Sequence, residues 1–450
     1  MNLLIVFTTL ICSVISITLF RYASGSLSLL KLNTVTYAMY FQVLTIGIVG
    51  PVLLVTDSLD FHYMAQHISK PVKFQAWAWS MYALIALPFS MTLINTILRI
   101  DIKSLLREYS VREISDSSQQ DQIKFNISLA AISLLSLIYI LYNSPSIPIL
   151  ELIQTGDFSS AAENRFESKY GFTGIVYLRS FFGLILIPCC SYYFYIVAYK
   201  SRLLRDWLLF GFQFVLTLAL LTYDLQKSPF AFYLFGYLIL HTFISNGLNP
   251  KWFLVIIGCA LAMILIGYKN TTGVSIESQI FNFQSAFYGR IFLSGFLGFP
   301  LSLELFPDKI NAITTLFGIP QPVLGFYDLS ATDPARQIML YINEQGAREG
   351  TSNLVSGYYL GEAWASFRYA GLVCSPFVVG AILQLTHLSF LRLPKNPLII
   401  AFYAYISTKW LIASGFSSFL TLKIIIFPIL ILALIILIKN SFGNLISSDG

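Results

Sequence analysis

The run LLIVFTTLICSVISITLF, residues 3–20, carries no charge, no glycine and no proline. At 1.5 Å of rise per residue a helix of this length nearly crosses the ~30 Å hydrocarbon layer of a bilayer. Lipid offers no partner for backbone N–H and C=O groups, so a run like this one satisfies them internally, as a helix. Ten more apolar runs follow, at 34–56, 77–98, 125–142, 172–198, 207–222, 229–246, 251–268, 369–390, 398–416 and 419–438. The 450-residue composition agrees: 56% is hydrophobic and only 11% charged, against roughly 25% charged in soluble globular proteins. This excludes a soluble enzyme and predicts an all-α polytopic integral membrane protein, a single membrane domain over 1–450 with about eleven transmembrane helices.

The first run lacks the basic flank and small-residue cleavage site of a secretory signal, so it is expected to stay as a span. Cys12, Cys189, Cys190, Cys259 and Cys374 all fall inside apolar runs, where a thiol behaves as a small hydrophobe rather than part of a disulfide or metal framework. The net charge of +6 is explained by topology rather than by nucleic acid. Basic loops at 99–124 and 200–205 read as cytoplasmic, and alternation then places the N-terminus outside and the C-terminus inside. Two connections on the outer side are long, 143–171 and 269–368. The second must cross the membrane an even number of times. Its apolar stretch 285–305, interrupted by Gly289, Arg290, Gly295, Gly298, Pro300 and Glu304, therefore reads as re-entrant or interfacial.

No phosphate-binding loop, dinucleotide fingerprint, zinc-hydrolase pair, nucleophile elbow or Asp-x-Asp pair occurs. ATP-driven transport, nicotinamide redox chemistry, zinc or serine hydrolysis and metal-dependent transfer from nucleotide sugars lose their signatures. No cofactor and no metal are expected. Long structured loops outside the spans point to chemistry on the outer face.

The stretch SNLVSGYYLGEAWASFRYAG, residues 352–371, continuing to Gly380, resembles the segment that closes the large outer loop of O-antigen and related oligosaccharide repeat-unit polymerases. Gly361-Glu362, Trp364, Phe367, Gly371 and Gly380 fit that pattern, while Ser366 and Arg368 stand where the family tends to carry Asn and Gly. The layout of spans and loops is similar along the whole chain. Arg165 and Arg179 sit where such polymerases place arginines, and Lys227 replaces a more usual Arg. The resemblance implies a fold similar to membrane-embedded GT-C-type glycosyltransferases that use polyprenyl-diphosphate donors. It implies transfer of a growing glycan from undecaprenyl diphosphate onto an incoming lipid-linked unit, in the bacterial inner membrane with the active site facing the periplasm. Lipid-linked oligosaccharides, membrane lipids and a chain-length regulator would be the partners.

Those demands distribute over named residues. The donor diphosphate calls for guanidinium forks and ammonium groups, for which Arg165, Arg179, Lys227, Arg290, Arg336, Arg348 and Arg368 are the candidates. The acceptor hydroxyl calls for a base or an orienting acceptor, for which Glu362 is the candidate. Each has a plainer reading. Arg179 snorkels to the interface, Arg290 pairs with Glu304, Lys227 pairs with Asp224, and Arg336 and Arg348 lie on solvated surface, although Asp333-Pro334 reads as a helix start. Glu362 pairs with Arg368 or another cation, and Gly357 with Gly361 admits a neighbouring backbone. Lys409 and Lys423, inside expected spans, pair internally or snorkel. Tyr170, Tyr327 and Tyr341 are placed to stack on sugars. Two other functions fit less well. An O-antigen ligase usually shows an Arg and His pair in its large outer loop, and 269–368 holds no His. A flippase calls for compact loops and a charged central cavity.

Overall fold

The computed structural model describes residues 2–58, 60, 62–115, 119–156, 164, 168, 171–245, 247–272, 274–310, 333–348, 355, 357–421 and 423–447. Among them every regular element is a helix. Nine helices are long and apolar enough to cross a membrane: Leu3–Ser24, Thr34–Val55, Lys70–Ile97, Ile123–Tyr142, Val176–Ser201, Leu204–Thr222, Pro250–Gly267, Tyr359–Arg392 and Ser417–Ile438. The chain is a multi-pass helical membrane protein. Two of the eleven expected spans are shorter than the sequence suggests. The seventh forms Ser228–Ile244, and the tenth stops at Lys409 instead of running on to 416.

The reason for that early stop is visible in the backbone. Residues 410–416 leave the helix, a four-residue helix Ser417–Leu420 follows, and a long helix resumes at Lys423. Irregular backbone amid apolar helices persists only when protein satisfies it. Gln42 does so from both sides: its amide nitrogen donates to the Trp410 carbonyl at 2.9 Å, and its amide oxygen accepts from the Ile412 N–H. Tyr359 N–H donates to the Ile412 carbonyl at 3.1 Å. Lys409 accordingly sits at a helix end rather than inside a span, 5.4 Å from the Tyr405 ring, whereas Lys423 opens its helix within the spanning stretch Ser417–Ile438.

The helices group into two compact units. The first contains residues 1–106, 268–389 and 410–423. Its helix Thr34–Ala38 begins on a buried capping box, in which the Asn33 side chain accepts from the Val35 and Thr36 N–H groups and Thr36 Oγ1 accepts from Asn33 N–H. Asn and Thr at this spacing satisfy donors that would otherwise be orphaned in an apolar setting. The stretch 285–305 is divided into Ala286–Tyr288, Gly289–Leu293 and Gly298–Leu305, none long enough to cross a membrane. The second unit contains 107–267, 390–409 and 424–450. Its core carries a polar ring in which Ser191 Oγ, Tyr233 OH and Tyr237 OH lie within 2.6–3.0 Å of one another. Buried hydroxyls at this density each need a partner, and here they supply one another's.

Among the described residues three helices widen locally into i→i+5 hydrogen bonding, at Met39–Val49, Arg179–Leu186 and Gly289–Leu293. Such turns are uncommon and concentrate at functional sites. Two of the three carry a candidate arginine, Arg179 and Arg290.

Candidate functional site

Glu362 lies on the short limb that opens the Tyr359–Arg392 helix and is 8% exposed. Its carboxylate does not pair with Arg368. Instead Oε2 accepts the Ser417 N–H at 3.1 Å, and the Phe416 N–H also acts on it. A β-carbon at Gly415 would overlap this oxygen, so the Gly415–Ser417 turn wraps the carboxylate only because residue 415 has no side chain. Asp333 places a second negative charge near it. Asp333 caps the helix Pro334–Ile342, its side chain accepting from Ala335 N–H at 2.9 Å, in agreement with the helix start read from Asp333-Pro334. Of the glycine pair, Gly361 packs closely, with a β-carbon there falling 3.0 Å from Phe299 Cα, while Gly357 faces open space.

Six residues beyond Glu362 the helix breaks. Arg368 adopts φ 56° and ψ −136°, a conformation that glycine enters freely and that costs a side-chain-bearing residue ~1–3 kcal/mol. The elbow is tight enough that a β-carbon on Gly371 would overlap the Ala363 carbonyl oxygen. The Arg368 guanidinium carbon lies 5.7 Å from the Trp364 ring centroid, and its Nη1 is buried without a hydrogen-bond partner among the described residues. Trp364 is fixed in turn by its indole N–H, which donates to the Phe306 carbonyl at 3.2 Å.

Arg290 is exposed and does not pair with Glu304. Glu304 is already engaged by Lys309 Nζ at 2.7 Å and by Ser69, whose hydroxyl and N–H donate at 2.7 and 3.1 Å. Burial pushes the Glu304 carboxyl up, but these donors hold it below the usual carboxylate range. They tie the 57–69 connection to the helix Gly298–Leu305. The same connection delivers His62 against Gly289, beside Arg290: a β-carbon on Gly289 would lie 3.2 Å from His62 Cδ2. The His62 ring stacks on Tyr63 at 5.3 Å. Its Nδ1 is buried without a partner among the described residues, and burial pushes the imidazole below the usual histidine value. Lys73, buried, neutralises Asp57 and Asp60 at 2.6 and 2.5 Å nearby.

The remaining candidates divide by place. Arg336 is exposed on the Pro334–Ile342 helix of the first unit. Arg179 belongs to the second unit, where Nη2 donates to Tyr223 OH at 2.6 Å and the guanidinium lies 5.1 Å from the Phe172 ring centroid. Asp224 accepts from the Gln226 side chain at 2.7 Å. Lys227 opens the helix Lys227–Ile244 and Arg348 closes Glu344–Arg348, but neither side chain is among those described. Arg165 lies outside the described residues, as do Tyr170 and Tyr327. The first unit thus brings together Glu362, Arg290, Arg336 and Arg368 within one packed body, while Arg179 and Lys227 belong to another.

Residue patterns alone gave no sign of His62, Gly415, Ser417 or Gln42. His62 was legible only as an isolated histidine, and its position beside Arg290 depends on a contact over more than two hundred residues. Comparison with protein-family models, with curated proteins and with solved structures finds no match for this chain.

Proposed function

We propose that this chain is a glycosyltransferase that polymerises lipid-linked oligosaccharide repeat units, using undecaprenyl diphosphate as leaving group on the periplasmic side of the bacterial inner membrane. The observation that carries the reading is the placement of Glu362. A carboxylate that is nearly fully buried and held by main-chain amides, with no cation paired to it among the described residues, is suited to accept or orient a hydroxyl proton. In the reaction, the acceptor hydroxyl oxygen bonds to the donor's anomeric carbon while the carbon–oxygen bond to the diphosphate breaks. The hydroxyl proton passes to Glu362, and the electron pair leaves with the polyprenyl diphosphate. Exposed Arg290 and Arg336 supply positive charge on the same unit for that leaving group. Membrane lipids and a chain-length regulator are the further partners of this reading.

With purified enzyme and a lipid-linked repeat unit, Glu362→Gln should bind substrate yet polymerise at least about tenfold more slowly. Near-normal turnover would move the base elsewhere. A second reading, an O-antigen ligase, gains from one observation: His62 packs against Gly289, the residue before Arg290, although the 269–368 segment holds no histidine. Lipopolysaccharide from a deletion strain separates the two. A single repeat on the core indicates a lost polymerase, and complete absence of O-antigen indicates a lost ligase or flippase.

A further inference from the structure

We infer that Gln42 is a positioning residue for the reaction: it fixes the opened backbone at 410–412 and, through it, the turn that holds the Glu362 carboxylate. Of the three i→i+5 helices among the described residues, Met39–Val49 alone carries no candidate arginine, and Gln42 is its buried polar side chain. The interior of a span is a costly place for a polar group, which persists there for the bonds it makes. Gln42 bonds a carbonyl and an N–H two residues apart on one stretch of chain, its nitrogen donating to Trp410 at 2.9 Å and its oxygen accepting from Ile412. A side-chain amide offers a donor and an acceptor side by side. An apolar residue of the same volume offers neither.

The clamp does not end at Ile412. The Ile412 carbonyl accepts from Tyr359 N–H at 3.1 Å, so the clamp also reaches the short helical limb that carries Glu362. It passes along the opened segment as well. Ser414 N–H donates to the Leu411 carbonyl at 2.8 Å and Ser418 N–H to the Gly415 carbonyl at 3.1 Å. The Trp410 ring stacks on Phe419 at 4.9 Å, so residues 410–419 close into one compact loop whose ends touch. The Phe416 and Ser417 amides that act on Glu362 lie on that loop. Because a β-carbon at Gly415 would already overlap the carboxylate, a small displacement of the loop is felt at Glu362. Misplacing a reacting group by about 1 Å can cost about a hundredfold in rate. This role rests on the proposed glycosyltransferase reading, in which Glu362 takes the hydroxyl proton.

The test uses purified full-length enzyme and a lipid-linked repeat unit, with Gln42→Met, which keeps length and volume but makes neither bond. Its kcat should fall at least about tenfold with KM within about twofold of wild type, since the bonds lost act on the base rather than on substrate binding. In a Glu362→Gln background, where the base is already absent, the same change should alter kcat by less than about twofold. Amide hydrogen exchange should rise at Phe416 and Ser417 as well as at 410–412. Gln42→Asn keeps both groups on a shorter stem; its kcat should fall in between, and it carries the same comparisons where Gln42→Met does not fold. A kcat within about twofold of wild type, an equal loss in both backgrounds, or a rise in KM alone overturns the role. Exchange that rises at 410–412 but not at 416–417 overturns it too, as does failure of both variants to fold, because Gln42 would then be holding the bundle rather than the turn. Near-normal turnover of Glu362→Gln overturns the catalytic reading and this role with it, whereas a slow Glu362→Gln beside a normal Gln42→Met overturns the role alone.

Discussion

Replacing Gly415 by alanine tests the arrangement around Glu362 most directly. The added methyl group would overlap the Glu362 carboxylate, and the Ser417 N–H bond at 3.1 Å cannot survive its displacement. Forcing a group into a filled interior costs ~1–3 kcal/mol, and losing a hydrogen bond to a charged acceptor costs ~1.5–3 kcal/mol. A loss of about 2.5–6 kcal/mol is expected on those principles. The same alanine placed in a Glu362→Ala background meets no carboxylate and breaks no such bond, so its cost there should fall below about 1 kcal/mol. The difference, measured as a double-mutant cycle by reversible unfolding in mixed micelles, is therefore at least about 1.5 kcal/mol of coupling. An equal cost for Gly415→Ala in both backgrounds would refute the direct carboxylate–turn contact and, with it, the buried placement on which the catalytic reading depends.

Gln42→Leu strips partners from the Trp410 carbonyl and the Ile412 N–H. Each orphaned group costs ~1–3 kcal/mol, so the variant should lose stability and gain hydrogen exchange at 410–412, and unchanged exchange there would count against the clamp. Lys395 is 3% exposed, and its ammonium donates to the Ser110 carbonyl at 2.9 Å. Burial and then the charge of Arg112 push it down to about 8, below the ~10.4 of a free lysine. Between those values the unfolded chain binds the proton and the folded chain does not, so stability should rise with pH across that window. Lys395→Met should flatten the rise, and an identical pH profile in both proteins would contradict the assignment. For topology, cysteines placed near Ser117 and near Ser330 should label from opposite sides of the membrane; labelling of both in intact spheroplasts would remove the periplasmic site.

The sequence by itself determined that this chain is helical and multi-pass, because an apolar run such as 3–20 has no way to satisfy its backbone in lipid other than along itself. It also determined local events whose partners are near in sequence, such as the helix start at Asp333-Pro334. Tertiary structure decided the rest. The run 398–416 is as apolar as a full span, yet it ends at Lys409 because Gln42 and Tyr359 can satisfy an opened backbone there, and no periodicity encodes a partner more than three hundred residues away. Glu304 answers to Ser69 and Lys309 rather than Arg290, and Glu362 to an amide fifty-five residues on rather than to Arg368. His62 reaches Gly289 across the fold. Charge and spacing limit which groups can pair, but in a packed interior the choice among them follows from which backbones approach closely, and that is fixed by side-chain volume at positions such as Gly371 and Gly415, read only once the helices are in place.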